Sequence, residues 1–105
     1  MKNYNNYYAT NQGIIYNKIT GKQMRVWLDK GAKGGYMRIK LTDDSGKRTH
    51  WLVNRFVYTY FLGNIPKGYE IDHVDGNRTN NALNNLRIVT HKQNMALKNK
   101  KRIEA

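Results

Sequence analysis

Apolar and polar side chains alternate most regularly over Tyr36–Leu41, YMRIKL, where Met37, Ile39 and Leu41 fall on one side and Tyr36, Arg38 and Lys40 on the other. A period of two is that of a strand with one buried and one solvated face. The same patterning predicts a short strand at Ile14-Ile15-Tyr16 after the turn signal Asn11-Gln12-Gly13, another in QMRVWLD (23–29), and a further one in THWLV (49–53), which TDDSGKR closes onto YMRIKL as a hairpin. KGAKGG (30–35) is expected to be a flexible link. A small antiparallel sheet of about three or four strands follows. From Asn54 the spacing changes: Phe56, Val57, Tyr60 and Phe61 recur at helical intervals, with Asn54 placed to cap the helix and Gly63 to end it. Trp51, Phe56 and Tyr60 are then expected in the core rather than on a base-stacking platform, since aromatic residues on a patterned face bury their area.

Beyond the sole proline, in Ile65-Pro66-Lys67-Gly68, Tyr69, Ile71 and Val74 predict a short strand running into the Asp75-Gly76 turn signal. Leu86–Val89, LRIV, reads as a returning strand. Thr90 opens a helix with a capping box, because Gln93 stands three residues later. The order is strand, long loop, strand, helix. Asn77, Asn80, Asn81, Asn84 and Asn85 crowd the loop. Asn tolerates left-handed backbone and makes side-chain turns, so a plain loop is one account of them.

Charge changes the picture. Nineteen Lys and Arg stand against seven Asp and Glu, a formal net charge of +12 in 105 residues. Such an imbalance calls for a polyanionic partner, and nucleic acid, double-stranded DNA among the candidates, leads because neutralising phosphates releases condensed counterions. An anionic membrane would require a basic helix with a continuous apolar face, which the pattern lacks, so no membrane partner is expected. The Arg38 and Lys40 face can lie along phosphates or in a major groove; an ordinary solvated strand face is the alternative, and the whole-chain charge favours contact. The absence of cysteine removes disulfides and thiolate ligands, and no structural zinc is expected. No apolar run approaches membrane-spanning length, and MKNYNNYYAT lacks the apolar middle of a secretion signal, so a cytoplasmic location is expected. The length fits one domain over residues 1–105, and nothing like a heptad predicts more than a monomer or weak dimer.

The chemistry gathers around Asp72 and His73. Asp72 offers a hard carboxylate and Asn94, in the first turns of the last helix, an amide oxygen, both suited to a hard divalent ion such as Mg²⁺ or Mn²⁺. His73 can serve as a base near neutral pH. Nine residues separate Asn85 from Asn94, which places them on opposite sides of any shared helix. Asn85 therefore belongs to the loop or strand before it, where its amide can bond the loop backbone and orient His73. Neighbouring residues of a regular strand face opposite ways. Asp72 and His73 can share a site if the strand end twists, if it bulges, or if a phosphate sits across the edge between them. His50 and His91 are treated as bystanders, and the KNKKR run (98–102) as part of a solvated basic tail, residues 98–105.

Asp72-His73 with the following VDGN, NNL at Asn84–Leu86, and Asn94 closing the run resemble the H-N-H endonuclease motif, its three named positions at His73, Asn85 and Asn94. The subgroup most similar is that of phage and group I intron homing endonucleases. YATNQGIIYN, YMRIKL and WLVNRFVYTYF are similar to the segments that precede the motif in that subgroup. The resemblance implies an α+β chain with a ββα-metal (His-Me finger) motif over about residues 68–100, preceded by a small sheet and short helix over about 8–62. It implies one divalent cation held by Asp72 and Asn94, His73 as general base, Asn85 positioning it, and cleavage of DNA by nicking or double-strand breakage. Arg55, Arg78, Arg87 and Lys92, the cations around the motif, join Arg38 and Lys40 as candidates for DNA contact. Where relatives often carry histidine at the start of the helix, this chain has Asn54. A DNA-binding module that keeps the fold without turnover is the competing function.

Overall fold

The alternation in YMRIKLT makes the central strand of the largest sheet, and a computed structural model of the chain shows what packs on each face. The structure describes residues 1–30 and 35–104, with side chains as far as residue 97; residues 31–34 of the expected flexible link lie outside it. Strands β1 (Tyr7–Ala9) and β2 (Ile15–Asn17) form a hairpin. Strands β3 (Val26–Asp29), β4 (Tyr36–Thr42) and β5 (Arg48–Leu52) form an antiparallel sheet in the order β3-β4-β5. Helix α1 (Val53–Leu62) follows directly. Strands β6 (Tyr69–His73) and β7 (Leu86–Thr90) make a second hairpin, whose long loop ends in a 3₁₀ turn at Leu83–Asn85, and helix α2 (His91–Glu104) closes the chain. The architecture is α+β, as expected. The strands are divided among three small sheets, where the patterning had suggested one amino-terminal sheet. Strand β1 had not been expected, because YYA has no run of β-branched residues to announce it; Tyr7 and Ala9 are nonetheless buried.

Ile39 and Leu41 of β4 are fully buried against Phe56 and Val57 of α1, while Lys40 points to solvent. Tyr4, Trp51 and Phe56 meet edge to face, with centroids 5.4–6.3 Å apart. Offset and edge contacts of this kind add to the area the rings bury. Ile71 and Leu86 of the second hairpin join the same core, which fixes that hairpin to the sheet and helix.

The two ends of α1 differ from each other. Gly63 terminates it at a φ of 92°, a conformation that favours glycine. Its start does not use Asn54 as a cap: the helix begins two residues earlier, at Val53, Leu52 occupies the cap position without a side-chain bond, and Asn54 is buried inside the first turn. Helix α2 has the expected reciprocal box, Thr90 N donating to Gln93 Oε1 at 2.9 Å and Gln93 N to Thr90 Oγ1 at 3.2 Å. The backbone of 98–104, within the expected basic tail, continues this helix, and its side chains lie outside the described set.

Candidate functional site

The β6–β7 ladder runs without interruption from Tyr69 opposite Thr90 to His73 opposite Leu86. No bulge interrupts it, so Asp72 and His73 leave opposite faces of β6. A common substrate must reach both at the end of the strand, where Gly76 N donates to His73 O at 2.8 Å and the chain turns away. Asp72 is 5% exposed, and its Oδ2 accepts from Arg87 Nε at 2.9 Å across the ladder. A buried carboxylate requires such a partner.

His73 is 4% exposed, and its Nε2 lies 2.9 Å from Oδ1 of Asn81, itself buried. An amide oxygen only accepts, so in this pairing Nε2 carries the proton and Nδ1 is the basic nitrogen of the neutral ring. The amide that meets the ring is therefore that of Asn81, a residue assigned from sequence to the turn. Asn85 acts on the loop: its Nδ2 donates to Asp75 Oδ1 and Asn80 O, each at 2.9 Å, its Oδ1 accepts from Asp75 N at 3.0 Å, and its main-chain oxygen accepts from Val74 N at 2.9 Å. The Asp75 carboxyl lies below the ordinary carboxylate range, chiefly through the Asn80 side-chain bond, then the Asn77 amide and Asn85.

Asn94 stands in the first turn of α2, 5% exposed, its Nδ2 donating to Glu70 Oε1 at 2.9 Å. A carboxylate only accepts, so this bond fixes which end of the amide faces Glu70 and turns Oδ1 the other way. That oxygen is buried with no hydrogen-bond partner. Glu70 and Asp72 are two apart on β6 and share a face, and Asn94 joins that face through Glu70. His91 Nδ1 also meets Glu70, at 3.2 Å. Glu70, like Asn81, is a member of the site that sequence reasoning missed. Two signals could have found it: its alternation with Asp72, and a helix that begins immediately after β7 and so crosses β6 with its first turn.

A cleft of about 570 Å³ opens beside these residues, with Glu70, Ile71, His91 and Asn94 on its wall. Tyr36, Asn54 and Arg55 also line it. Asn54 Oδ1 is a second buried amide oxygen without a partner. The guanidinium of Arg78 lies 4.6 Å from the centre of the Tyr36 ring, a cation–π contact that holds its charge at the cleft. Asp72 and His73 follow directly from Ile71 along β6. Of the other candidate cations, Lys40 and Lys92 are exposed, whereas Arg38 pairs with Asp29 and Arg87 with Asp72.

A hard carboxylate and a buried, unsatisfied amide oxygen fit a divalent ion of the Mg²⁺ class, which prefers oxygen donors and retains several waters. No group of three or more His, Asp or Glu capable of holding an ion occurs among the described residues. Water and substrate phosphate would therefore have to complete the coordination shell.

Comparison with known proteins places the chain in a family. A family model described as HNH endonuclease matches residues 52–96. The chain is 36% identical over 88 residues to the SPbeta prophage-derived protein YosQ of Bacillus subtilis (strain 168), whose name describes it as an HNH homing endonuclease; 84% of this chain and 49% of that protein are covered. It is 36% identical over 96 residues to DNA endonuclease I-HmuI of Bacillus phage SP01, covering 90% of this chain and 53% of the relative. A solved structure describing DNA binding and cleavage by the HNH homing endonuclease I-HmuI superposes with a TM-score of 0.80 at 34% identity over 95% of this chain and 56% of that one. The chain belongs to the HNH endonuclease family. The HNH segment, 52–96, contains Asn54, Glu70, Asp72, His73, Asn81, Asn85 and Asn94, so the whole polar cluster described above falls within the family's own boundaries. The chain spans about half the length of the HNH relatives YosQ and I-HmuI.

Proposed function

We propose that this HNH chain is a metal-dependent DNA endonuclease in which His73 is the general base and Asp72 and Asn94 hold one divalent cation. The observation that carries the reading is Asn94 Oδ1, a buried acceptor left unsatisfied on the face of β6 that also bears the Asp72 carboxylate. An unpaired buried carbonyl costs about 1–3 kcal/mol, a cost that a bound cation relieves.

Asp72 and Asn94 would hold the cation, which would supply charge neutralisation to the phosphate and to the departing deoxyribose oxygen. The remaining roles belong to the chain. His73 Nδ1 accepts the proton of the attacking water as its oxygen bonds to phosphorus and the P–O bond to the departing oxygen breaks. Asn85 holds the loop that follows His73 through its bonds to Val74, Asp75 and Asn80. Arg55 and Arg78 offer guanidinium charge to phosphates entering the cleft. One such site cuts one strand, so a double-strand break needs two sites or two successive nicks.

Wild-type protein is expected to nick supercoiled plasmid in Mg²⁺ or Mn²⁺ but not in EDTA, and His73→Ala to bind DNA without nicking it. Nicking by His73→Ala at the wild-type rate would remove His73 from the base role. Salt-sensitive DNA binding by the wild type with no cleavage in any divalent ion would establish the non-catalytic binding module instead.

A further inference from the structure

We propose that the first hairpin is part of the catalytic apparatus: the Asn11–Gly13 turn braces Asn81, and Asn81 is the positioning residue that fixes the tautomer of His73. The proposal rests on the reading of His73 as general base, because a base needs one particular ring nitrogen unprotonated.

The contact between hairpin and loop is backbone to backbone. Gly13 has a φ of +86°, and a Cβ at that position would stand 2.4 Å from the carbonyl oxygen of Asn81, 2.5 Å from its carbon and 3.0 Å from Ala82 N. Nothing but glycine allows this approach. One residue pair further along, Leu83 N donates to Asn11 O at 2.8 Å. The turn is itself stiff. Thr10 N donates to Ile14 O at 2.8 Å, Gly13 N to Thr10 O at 3.0 Å and Ile14 N to Thr10 Oγ1 at 3.3 Å, while Tyr7, Ala9 and Ile15 anchor the strands in the core.

From the other side Asn85 Nδ2 holds Asn80 O, and Ala82 N donates to Asn80 Oδ1 at 3.3 Å. Residues 80–83 are thus gripped between Asn85 and the hairpin turn. Asn81 projects from this gripped segment with its oxygen 2.9 Å from His73 Nε2, both residues at least 94% buried. A neutral imidazole has two tautomers, and only the one with a proton on Nε2 satisfies that oxygen and leaves Nδ1 able to take a proton from water. Asn85 and Asn81 then divide the work: one secures the loop, the other selects the ring nitrogen.

The test is nitrogen-15 NMR of histidine-labelled protein, without metal, at a pH where the ring is neutral, alongside steady-state nicking kinetics. Wild type is expected to show His73 protonated at Nε2. Asn81→Leu should populate the other tautomer and lower kcat by roughly a hundredfold, the scale of a misplaced catalytic group, with KM for DNA and the Mg²⁺-induced thermal shift unchanged. Asn81→Asp, which keeps an acceptor oxygen in place, should restore both the tautomer and most of kcat. Gly13→Ala should disturb the same ring signal although it lies in another hairpin; if it fails to fold, the Asn81 pair carries the test. Wild-type His73 protonated at Nδ1, or an Asn81→Leu protein with unaltered tautomer and kcat, would overturn the proposal. Failure of the base reading is recognised separately, by His73→Ala cutting normally.

Discussion

Asn94→Leu separates a ligand from a structural amide, because the substitution removes two atoms with opposite effects. Losing Oδ1 removes a buried acceptor with no partner, which returns about 1–3 kcal/mol of desolvation cost to the metal-free protein. Losing Nδ2 breaks a bond to the Glu70 carboxylate, and hydrogen bonds to charged groups are worth about 1.5–3 kcal/mol. Glu70 has 42% of its side chain exposed and keeps its contact with His91, so water and the imidazole recover much of that second quantity. The two effects nearly cancel. In a domain of this size 1 kcal/mol moves Tm by about 4–8 °C, so the metal-free variant should melt within about 10 °C of wild type. With Mg²⁺ in hundredfold excess over its Kd, wild type gains about 2.7 kcal/mol, a rise of roughly 10–20 °C, and Asn94→Leu should gain nothing. The assay is calorimetric or fluorescence-detected melting in EDTA and in a Mg²⁺ series. A metal-free loss above about 3 kcal/mol would mean that the amide is structural. An equal Mg²⁺ increment in both proteins would remove Asn94 from the ligand set.

Further consequences concern the loop and the outer face of β4. Asp75 has a folded-state pKa lowered by Asn80, Asn77 and Asn85, so it contributes stability that is complete above its unfolded-state value and is lost as pH falls through the folded one. Asp75→Asn should therefore flatten the acid limb of stability against pH, measured by denaturant melts at successive acidic pH values; an unaltered limb would show that the carboxylate is not coupled to folding. On the outer face of β4, Lys40 is exposed whereas Arg38 is paired with Asp29. If that face lies on phosphates, Lys40→Ala should reduce the slope of log K against log salt by about 0.9, and Arg38→Ala by less. Equal slopes for wild type and Lys40→Ala would place DNA elsewhere.

What the sequence disclosed depended on the distance over which each signal acts. The alternation in YMRIKL, the Thr90/Gln93 box and the glycine stop at Gly63 are local patterns, and the structure has each of them where the pattern put it. The start of α1 was misjudged because a buried Asn54 and a capping Asn54 look alike in sequence; the position of the core, not propensity, decided where the helix began. The division of labour among the asparagines was not legible. Asn80, Asn81, Asn84 and Asn85 are chemically identical, and the one that faces His73 is the one against which the first hairpin, some seventy positions away, packs. Glu70 was hidden for the same reason, its bond to Asn94 joining a strand to a helix across 24 positions.

The division of the strands into three separate sheets bears on how the molecule fails when warmed. Ladders hold residues within each sheet, but Asn81 meets the first hairpin through a close glycine contact and the neighbouring Leu83–Asn11 bond, not through a shared ladder. Proteins open in cooperative pieces of unequal stability, and a seam of this kind lies at the weak end. The β6–β7 pairing can persist after the seam has parted, leaving secondary structure in place around a histidine no longer held. Inactivation should then precede the loss of circular dichroism on heating and reverse on cooling, so that the temperature limit of cleavage is set by one seam and not by the fold.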